Sequence, residues 1–200
     1  MSEGRSTLVK PLVGLARRAY RAVERGPLRG LLAFGPVQRA RSRLRTPMEA
    51  ADVLEVLDRL AAAGIRAWLA GGWGADALVG EQTRPHGDVD LVVAEQDEQA
   101  AERALAQDGF RPVPNTARHV PGAILADRLV LQDPRGRVID MHTVDLASWP
   151  GVPDVGEPFT TGRVAGRDAP CVSLGVQLAA RRGYEPKPTD RHDLERLSRL

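Results

Sequence analysis

The stretch WLAGGWGADALVGEQTRPHGDVDLVV, residues 68–93, decides how this chain folds. It opens with a short apolar run that ends at Gly71-Gly72 and continues through a segment compatible with a helix. It closes on a second apolar run, whose polar members are Asp88 and Asp90. This order predicts a strand, a helix and a second strand, with the two carboxylates on the second strand.

The two aspartates indicate a cation site. Alternate side chains of a strand point to the same face, so Asp88 and Asp90 are predicted to project together, opposite Val89 and Leu91. Adjacent carboxylates repel each other, and burying one of them without a partner is costly, so the chain is expected to supply a cation. Oxygen ligands suit Mg²⁺ or Mn²⁺ better than zinc. The alternative is a structural ion-pair network with Arg84.

The glycine pair indicates a phosphate site. Glycines between a strand and a helix let backbone N–H groups approach a phosphate closely, and the N-terminus of the helix adds a favourable partial charge. Fifteen residues separate Gly72 from Asp88. A phosphate cradle at Gly71 and Gly72 and a metal site are therefore predicted at opposite ends of one strand–helix–strand unit.

A third carboxylate is predicted on a hairpin strand. The arms 124–131 and 137–144 flank DPRG, a turn signature. In the second arm Asp140 and His142 share one face. Asp140 is a candidate third metal ligand, and a charge at the edge of the hairpin is its alternative. His142 is read either as lining an acceptor pocket or as a surface histidine.

The motif GGWGADALVGEQTRPHGDVDLVV resembles the polymerase-β-type nucleotidyltransferases, within them the branch of aminoglycoside 2''-adenylyltransferases and lincosamide nucleotidyltransferases. The resemblance covers about residues 46–200 and includes the tail GYEPKPTDRHDL, residues 183–194. Ahead of that tail, Arg181-Arg182 stands where relatives often carry a histidine. The resemblance implies an α+β, polymerase-β-like nucleotidyltransferase fold with a mixed β-sheet flanked by helices and short C-terminal helices.

The same resemblance implies a reaction, the Mg²⁺-dependent transfer of AMP from ATP to a hydroxyl of a small molecule such as an aminoglycoside or a lincosamide. Three carboxylates suffice for two ions about 3.5–4 Å apart, which stabilise the attacking and leaving oxygens. Asp140 corresponds to the aspartate regarded as the general base in the aminoglycoside branch. Arg84 and His86 are implied to contact the nucleotide phosphates, and ordering the loop before the second strand is the alternative for both.

Charge divides the chain into two parts. Residues 1–47 hold 11 of the 28 basic residues and 2 of the 26 acidic ones, which leaves 17 basic and 24 acidic residues in 48–200. We predict a basic helical extension over 1–45 and the nucleotidyltransferase domain over 46–200. The extension is read as solvated or loosely docked, with contact to an anionic surface as the alternative. An acidic body suits a cationic acceptor and disfavours stable nucleic-acid binding.

Composition places the protein in the cytoplasm as the simplest reading. Cys171 is the single cysteine, so no disulfide framework is expected, and it is read as a small buried hydrophobe. No apolar run reaches the length of a membrane span, and no signal peptide is visible. Two other functions stay open, transfer to a protein or RNA acceptor and a non-catalytic nucleotide-binding module. The oligomeric state is not predicted.

Local patterns predict the remaining elements. Thr46 is expected to cap a helix that ends before Gly64, with Pro47 at its first position. Trp68 and Trp73 are expected to be packing residues, and Asp76 a structural one. The other predicted elements are a strand at 66–70, helices at 73–79 and 98–107, a short strand at 110–113, a hairpin at 159–164 and 169–172, a helix at 173–181 capped by Ser173, and a last helix at 191–200 capped by Thr189 or Asp190.

Overall fold

The structure is a computed structural model that describes residues 46–113, 125, 128–149, 155–182 and 184–200. The predicted basic extension, residues 1–45, lies outside the described residues. Its role and the boundary of the domain therefore stay predictions.

The described chain begins with helices and strands in alternation, continues with five successive strands and ends with two helices. In order they are α1 (Ala50–Ala62), β1 (Ala67–Ala70), α2 (Gly71–Val79), β2 (Val89–Ala94), α3 (Glu98–Gln107), β3 (Arg111–Pro112), β4 (Leu129–Gln132), β5 (Val138–Val144), β6 (Phe159–Val164), β7 (Arg167–Val172), α4 (Leu174–Ala179) and α5 (Pro188–Leu197). None of the helices in these ranges has the length and apolar character needed to cross a membrane.

The strands form one mixed sheet in the order β3-β4-β5-β2-β1-β7-β6. In the middle of it β2 runs parallel to β5 and antiparallel to β1, and β1 runs parallel to β7. The outer pairs β4–β5 and β6–β7 are the two predicted hairpins. The predicted mixed sheet with flanking helices is confirmed, and the strand that carries Asp90 lies at its centre.

Both faces of β2 are buried. Val89, Leu91 and Val93 belong to the main apolar cluster, which also contains the buried face of α1. Val92 lies in a second cluster with Trp68, whose ring stacks on Phe159 at 3.9 Å between centroids. Because the sheet is covered on both sides, β2 is held rigidly and carries its one polar side chain, Asp90, at a fixed position.

The single cysteine and the second tryptophan also have packing roles. Cys171 is completely buried in the main cluster, and this burial raises the pKa of its thiol to about 11. Trp73 is 2% exposed and lies in the same cluster. The prediction that both are packing residues is confirmed.

The predicted starts of α1 and α2 are wrong. Helix α1 begins at Ala50 with Glu49 at the N-cap, and the Asp52 carboxylate accepts a hydrogen bond from the Glu49 N–H at 3.1 Å. Thr46 donates instead to the carbonyl of Arg135 at 2.6 Å, since the segment before α1 is drawn into pairing with other loops. Helix α2 begins at Gly71 rather than at residue 73, so both glycines lie in its first turn.

The last helix begins earlier than predicted. It spans Pro188–Leu197, with Lys187 at the N-cap and Pro188 at the first helical position. Proline is favoured there because its φ is already helical. An N–H at this position would have no acceptor in the helix, so nothing is lost by its absence. Asp190 accepts a hydrogen bond from the Lys187 N–H at 2.9 Å. The Ser173 cap of α4 and the bounds of α3 agree with prediction.

A buried arginine joins α1 to the β4–β5 turn. Arg137 is 4% exposed and donates to Asp133 at 2.9 Å and to Glu55 at 3.0 Å, and it also bonds Asp52. Burial by itself lowers the pKa of Arg137, but the hydrogen bonds to the three carboxylates outweigh burial and raise the pKa above its ordinary value. The guanidinium therefore stays charged and holds the turn against the helix.

Replacing Arg137 with methionine is expected to lower the free energy of unfolding by about 3 kcal/mol, because the buried Asp133 then keeps only the exposed Arg135, 3.4 Å away, as a charged partner. Urea denaturation measures this loss. Arg135→Met is the matched control, since Arg135 lies in the same turn with its side chain 61% exposed. It is expected to change stability by less than about 0.5 kcal/mol. Equal losses of stability in the two variants would contradict the structural role given to Arg137.

Candidate active site

A cleft with a volume of about 330 Å³ opens beside the start of α2 and the start of β2. All the site residues that the sequence predicts line this one cleft: Gly71, Gly72, Arg84, His86, Asp88, Asp90 and Asp140. The sheet brings together positions that are up to 69 residues apart in sequence.

The carboxylates face each other across neighbouring strands. Asp90 on β2 is the direct Cα partner of Asp140 on the parallel strand β5. Asp140 is 4% exposed, and β5 lies between β4 and β2, so the alternative of a charge at the edge of the sheet is wrong. Asp88 is placed one residue before β2 rather than within it, and it still lines the cleft. Three carboxylates therefore converge there.

An arginine that the sequence did not single out lies on Asp140. The Arg128 Nε donates to both carboxylate oxygens, at 2.6 and 2.7 Å, and its Nη2 also bonds Asp140. The hydrogen bonds to Asp140 are the main cause that raises the pKa of Arg128. Arg128 stands alone just before β4 and belongs to no motif, so no signal in the sequence marked it. Both oxygens of Asp140 are engaged in this arrangement.

His142 lies between the two central carboxylates. Its Nε2 is 3.7 Å from Asp90 Oδ1 and 3.8 Å from Asp140 Oδ1. Burial alone raises the pKa of Asp90, but the interaction with His142 and the charges of Arg128 and Arg181 outweigh it and hold the pKa below its usual value. His142 is buried, so the reading of a surface histidine is wrong.

The two glycines are required by the close approach of cleft side chains. Gly71 has a φ of +52°, and a Cβ at this position would overlap the Asp90 carboxylate. A Cβ at Gly72 would overlap the His86 ring and would lie 2.6 Å from Arg84 Nη2. Side chains at these positions would displace Asp90 or the loop that carries His86. The N–H groups of the first turn of α2, which have no acceptor within the helix, lie at the same place.

His86 is held by structural contacts. It is 3% exposed, and its Nε2 lies 2.5 Å from the Oδ2 of Asp76. Asp76 also accepts a hydrogen bond from Thr83 Oγ1 at 2.6 Å. The His86 ring packs on Trp73 at 4.7 Å between centroids. These contacts order the loop before β2, as the structural reading of Asp76 predicts. A phosphate contact by His86 stays a prediction.

Arg84 is oriented by the last helix. Its Nε and Nη2 donate to the two oxygens of Asp193 on α5, at 2.8 and 2.9 Å. Asp193 also accepts from Arg181 at 3.1 Å, and the same Nη2 of Arg181 donates to the carbonyl of Gly71 at 3.1 Å. Sequence reasoning missed Asp193, although its i, i+4 spacing to the buried Leu197 marks the inner face of α5. Helix α5 thus fixes both arginines beside the glycine turn.

Burial alone raises the pKa of Asp193, but the hydrogen bonds and charges of Arg84 and Arg181 outweigh it and lower the pKa below 3.8. The charged form is therefore stabilised in the folded state. Its contribution to stability is complete above pH 3.8 and is lost as the pH falls through the lowered value.

Replacing Asp193 with asparagine is expected to cost about 3 kcal/mol of stability at pH 7, since it leaves two partly buried arginines without their partner. The difference in free energy of unfolding between the wild-type protein and Asp193→Asn is expected to become smaller below about pH 4. Denaturant titrations over the pH range measure it. Glu195→Gln, on the exposed side of the same helix with its side chain 67% exposed, is the control. A difference in free energy of unfolding that grows as the pH falls would contradict the ion-pair network.

The donors in the cleft fit a divalent cation. One ligand atom each from Asp90, Asp140 and His142 lies within 4.8 Å of the others, and Asp88 lines the same space. Carboxylate oxygens are the ligands that Mg²⁺ prefers. One helix N-terminus brings together groups for both ligands. The glycine backbone and the arginines suit a phosphate, and the carboxylates suit a metal ion.

Known proteins are similar to this chain in sequence. A sequence model of the family described as aminoglycoside-2''-adenylyltransferase matches residues 52–197. A lincosamide resistance protein of Staphylococcus haemolyticus is 25% identical over 159 residues, which cover 74% of this chain and 94% of that protein.

Two solved structures are similar in fold. The lincomycin-bound lincosamide antibiotic adenylyltransferase LnuA matches with a TM-score of 0.62 at 24% identity, covering 76% of this chain and 98% of that one. ANT(2'')-Ia in complex with adenylyl-2''-tobramycin matches with a TM-score of 0.58 at 19% identity, covering 74% and 86%. With a family match that spans more than half of its length, the chain belongs to the aminoglycoside-2''-adenylyltransferase family and is a nucleotidyltransferase.

Proposed function

We propose that the protein transfers AMP from ATP to a hydroxyl group of an aminoglycoside or lincosamide antibiotic. The observation that carries the proposal is the direct pairing of Asp90 with Asp140, in a cleft that also contains the glycine turn of α2. The names of the similar proteins, lincosamide and aminoglycoside adenylyltransferases, support the same class of reaction.

Asp140 serves as the general base in this proposal. Its carboxylate takes the proton from the acceptor hydroxyl, whose oxygen forms a bond to the α-phosphorus of the nucleotide. The bond from that phosphorus to the bridging oxygen of the leaving pyrophosphate breaks. One oxygen of Asp140 must be free for this step, so Arg128 gives up at least one of its two Nε contacts when the substrates bind.

Asp88, Asp90 and Asp140 would hold Mg²⁺, with two ions in the complete site. Bound divalent ions supply charge stabilisation for the attacking and leaving oxygens. Charge around the ligands agrees with this role, because His142, Arg128 and Arg181 hold the pKa of Asp90 below its usual value despite burial, and the ionised carboxylate is the form that binds a cation.

The triphosphate is held at the wall of the cleft beside the glycine turn. Arg84, Arg181 and Lys187 line it, and Arg84 and Arg181 are fixed in place through Asp193. Guanidinium groups bind phosphate oxygens through paired, charge-assisted hydrogen bonds. The first turn of α2 adds backbone N–H donors at the same wall.

Net charge favours a cationic acceptor. Residues 48–200 carry 17 basic and 24 acidic side chains, which creates a negative field around the domain. Aminoglycosides and lincosamides carry ammonium groups, and association with an oppositely charged surface is accelerated and weakens with salt.

A pyrophosphate-release assay with a panel of aminoglycosides and lincosamides tests the proposal. We expect release from ATP and Mg²⁺ to depend on one or a few members of the panel. Release that is independent of every acceptor would contradict it. Label found on a protein or RNA instead of a small molecule would favour the macromolecular alternative, and deletion of residues 1–45 would then weaken the transfer.

Nucleotide binding can be checked without a known acceptor. We expect ATP and Mg²⁺ together to raise the melting temperature more than the sum of either alone, because the ion links the carboxylates to the phosphates. At a ligand concentration 100 times its Kd the gain is about 2.7 kcal/mol. Differential scanning fluorimetry measures the shift in melting temperature. The protein in buffer with EDTA and without added metal is the baseline. A melting temperature that does not change when ATP and Mg²⁺ are added together would contradict nucleotide binding at this cleft.

A further inference from the structure

We infer that His142 is a direct ligand of the metal ion, so that the centre holds an imidazole nitrogen beside the carboxylates of Asp90 and Asp140. This inference rests on the proposed function, since it concerns the same metal site. The inference goes beyond the proposed function because it adds a nitrogen donor to a set of ligands that otherwise consists of oxygens.

The fold puts the three side chains on one face of the sheet. Asp140 and His142 are two residues apart on β5, and Asp90 is the partner of Asp140 on the neighbouring strand β2. Alternate residues of a strand point to the same side, so the three groups form a triangle. The triangle lies inside the sheet, on strands that are paired on both sides.

The distances suit ligands that share an ion. His142 Nε2 lies 3.7 Å from Asp90 Oδ1 and 3.8 Å from Asp140 Oδ1. Both distances are too long for hydrogen bonds. Donors bound about 2.1 Å from one ion lie roughly 3–4 Å from each other, which is the spacing found here.

Apart from the two carboxylates, His142 has no polar partner within the described residues. It is 8% exposed, and its Nδ1 has no hydrogen-bond partner there. A buried polar ring with neither nitrogen in a hydrogen bond is uncommon, and an ion that the ring helps to bind is one of the physical reasons for it. Arg128 bonds Asp140, whereas no arginine hydrogen bond in the described chain reaches Asp90 or His142.

A nitrogen ligand changes the preference of the site among metals. Mg²⁺ favours oxygen donors, whereas imidazole suits transition metals better. We therefore expect the ratio of the Kd for Mg²⁺ to the Kd for Mn²⁺ to be larger for this protein than for its His142→Gln variant.

Pulsed EPR of Mn²⁺ bound to the full-length protein tests the inference directly. Nuclear modulation from a coordinated ¹⁴N is expected in the unlabelled protein and is expected to change to the ¹⁵N pattern after labelling with ¹⁵N-histidine. The label separates the protein nitrogen from any nitrogen of an added nucleotide. In His142→Gln the coupling is expected to vanish, and the Kd for Mn²⁺ to rise by about tenfold or more.

His192→Gln is the matched control. His192 lies on α5 with its Nε2 3.0 Å from Thr83 Oγ1, outside the triangle, so the coupling is expected to persist in this variant. Mn²⁺ that binds with oxygen donors alone would overturn the inference and leave the proposed function standing. A wild-type protein that binds no Mn²⁺, with or without nucleotide, would overturn both. Where His142→Gln does not fold, His142→Asn carries the same test, because the label alone does not distinguish His142 from His86, which lines the cleft.

Discussion

Replacing Asp90 with asparagine is expected to lower kcat/KM for nucleotidyl transfer on the order of 10⁴-fold. Stabilisation of transition-state charge by a divalent ion is worth several kcal/mol, and each 1.36 kcal/mol is a factor of about ten. The amide has nearly the volume of the carboxylate but is a much poorer ligand for Mg²⁺. Steady-state kinetics with saturating metal measure the loss. Asp168→Asn, on a carboxylate 77% exposed and outside the cleft, is the control and is expected to be fully active. An Asp90→Asn enzyme of near-normal activity would contradict the metal-site assignment.

The same substitution has a second expected result, in which the structure reverses the simplest reasoning from sequence. Two adjacent carboxylates suggest that removing one charge relieves repulsion and stabilises the metal-free protein. However, His142 and the charges of Arg128 and Arg181 hold the pKa of Asp90 below its usual value, so the folded state stabilises the ionised form. Asp90→Asn is therefore expected to be slightly less stable than the wild-type protein at pH 7 in EDTA, as measured by urea denaturation.

Replacing Asp140 with asparagine is expected to depress the chemical step while nucleotide binding is largely retained. General bases contribute about 10²- to 10⁴-fold, and the loss of a metal ligand adds to this. Asp88 and Asp90 still hold a cation that binds the triphosphate. Single-turnover rates should therefore fall by at least that factor, whereas the Kd of a non-hydrolysable ATP analogue should change far less.

The control for Asp140→Asn is Arg128→Gln. It frees both oxygens of Asp140 and leaves the carboxylate in place. It should retain much more of the chemical step than Asp140→Asn. If Asp140→Asn were nearly as active as the wild-type enzyme, Asp140 would not be the base, and the acidic residues Asp145, Asp154 and Glu157 would be the next candidates.

Local patterns in the sequence were sufficient for the central unit of the site. The period of two along residues 88–93 placed the acidic positions, and Gly71-Gly72 marked the close approach. The DPRG turn signature located the first hairpin, and through it Asp140. These features are predictable because each depends on neighbours within a few residues.

The arginine partners could not be predicted in the same way. Arg84 and Asp193 are 109 residues apart, and Arg181 reaches the Gly71 carbonyl 110 residues away. Such pairs depend on how α4 and α5 pack against α2, which no local pattern records. Arg128 lies only 12 residues from Asp140, yet the pair exists because β4 and β5 align in register. Thr46 was misread because pairing between loops overrode its local preference as a cap.

Mass spectrometry of the acceptor after reaction tests the central claim most directly. The protein is incubated with ATP, Mg²⁺ and each antibiotic of the panel, and the products are compared with those of Asp90→Asn. We expect one antibiotic class to gain the mass of one AMP, with release of pyrophosphate, in the wild-type reaction alone. ATP consumed to ADP and phosphate, or an antibiotic that gains a phosphoryl or acetyl group instead, would contradict nucleotidyl transfer by this site.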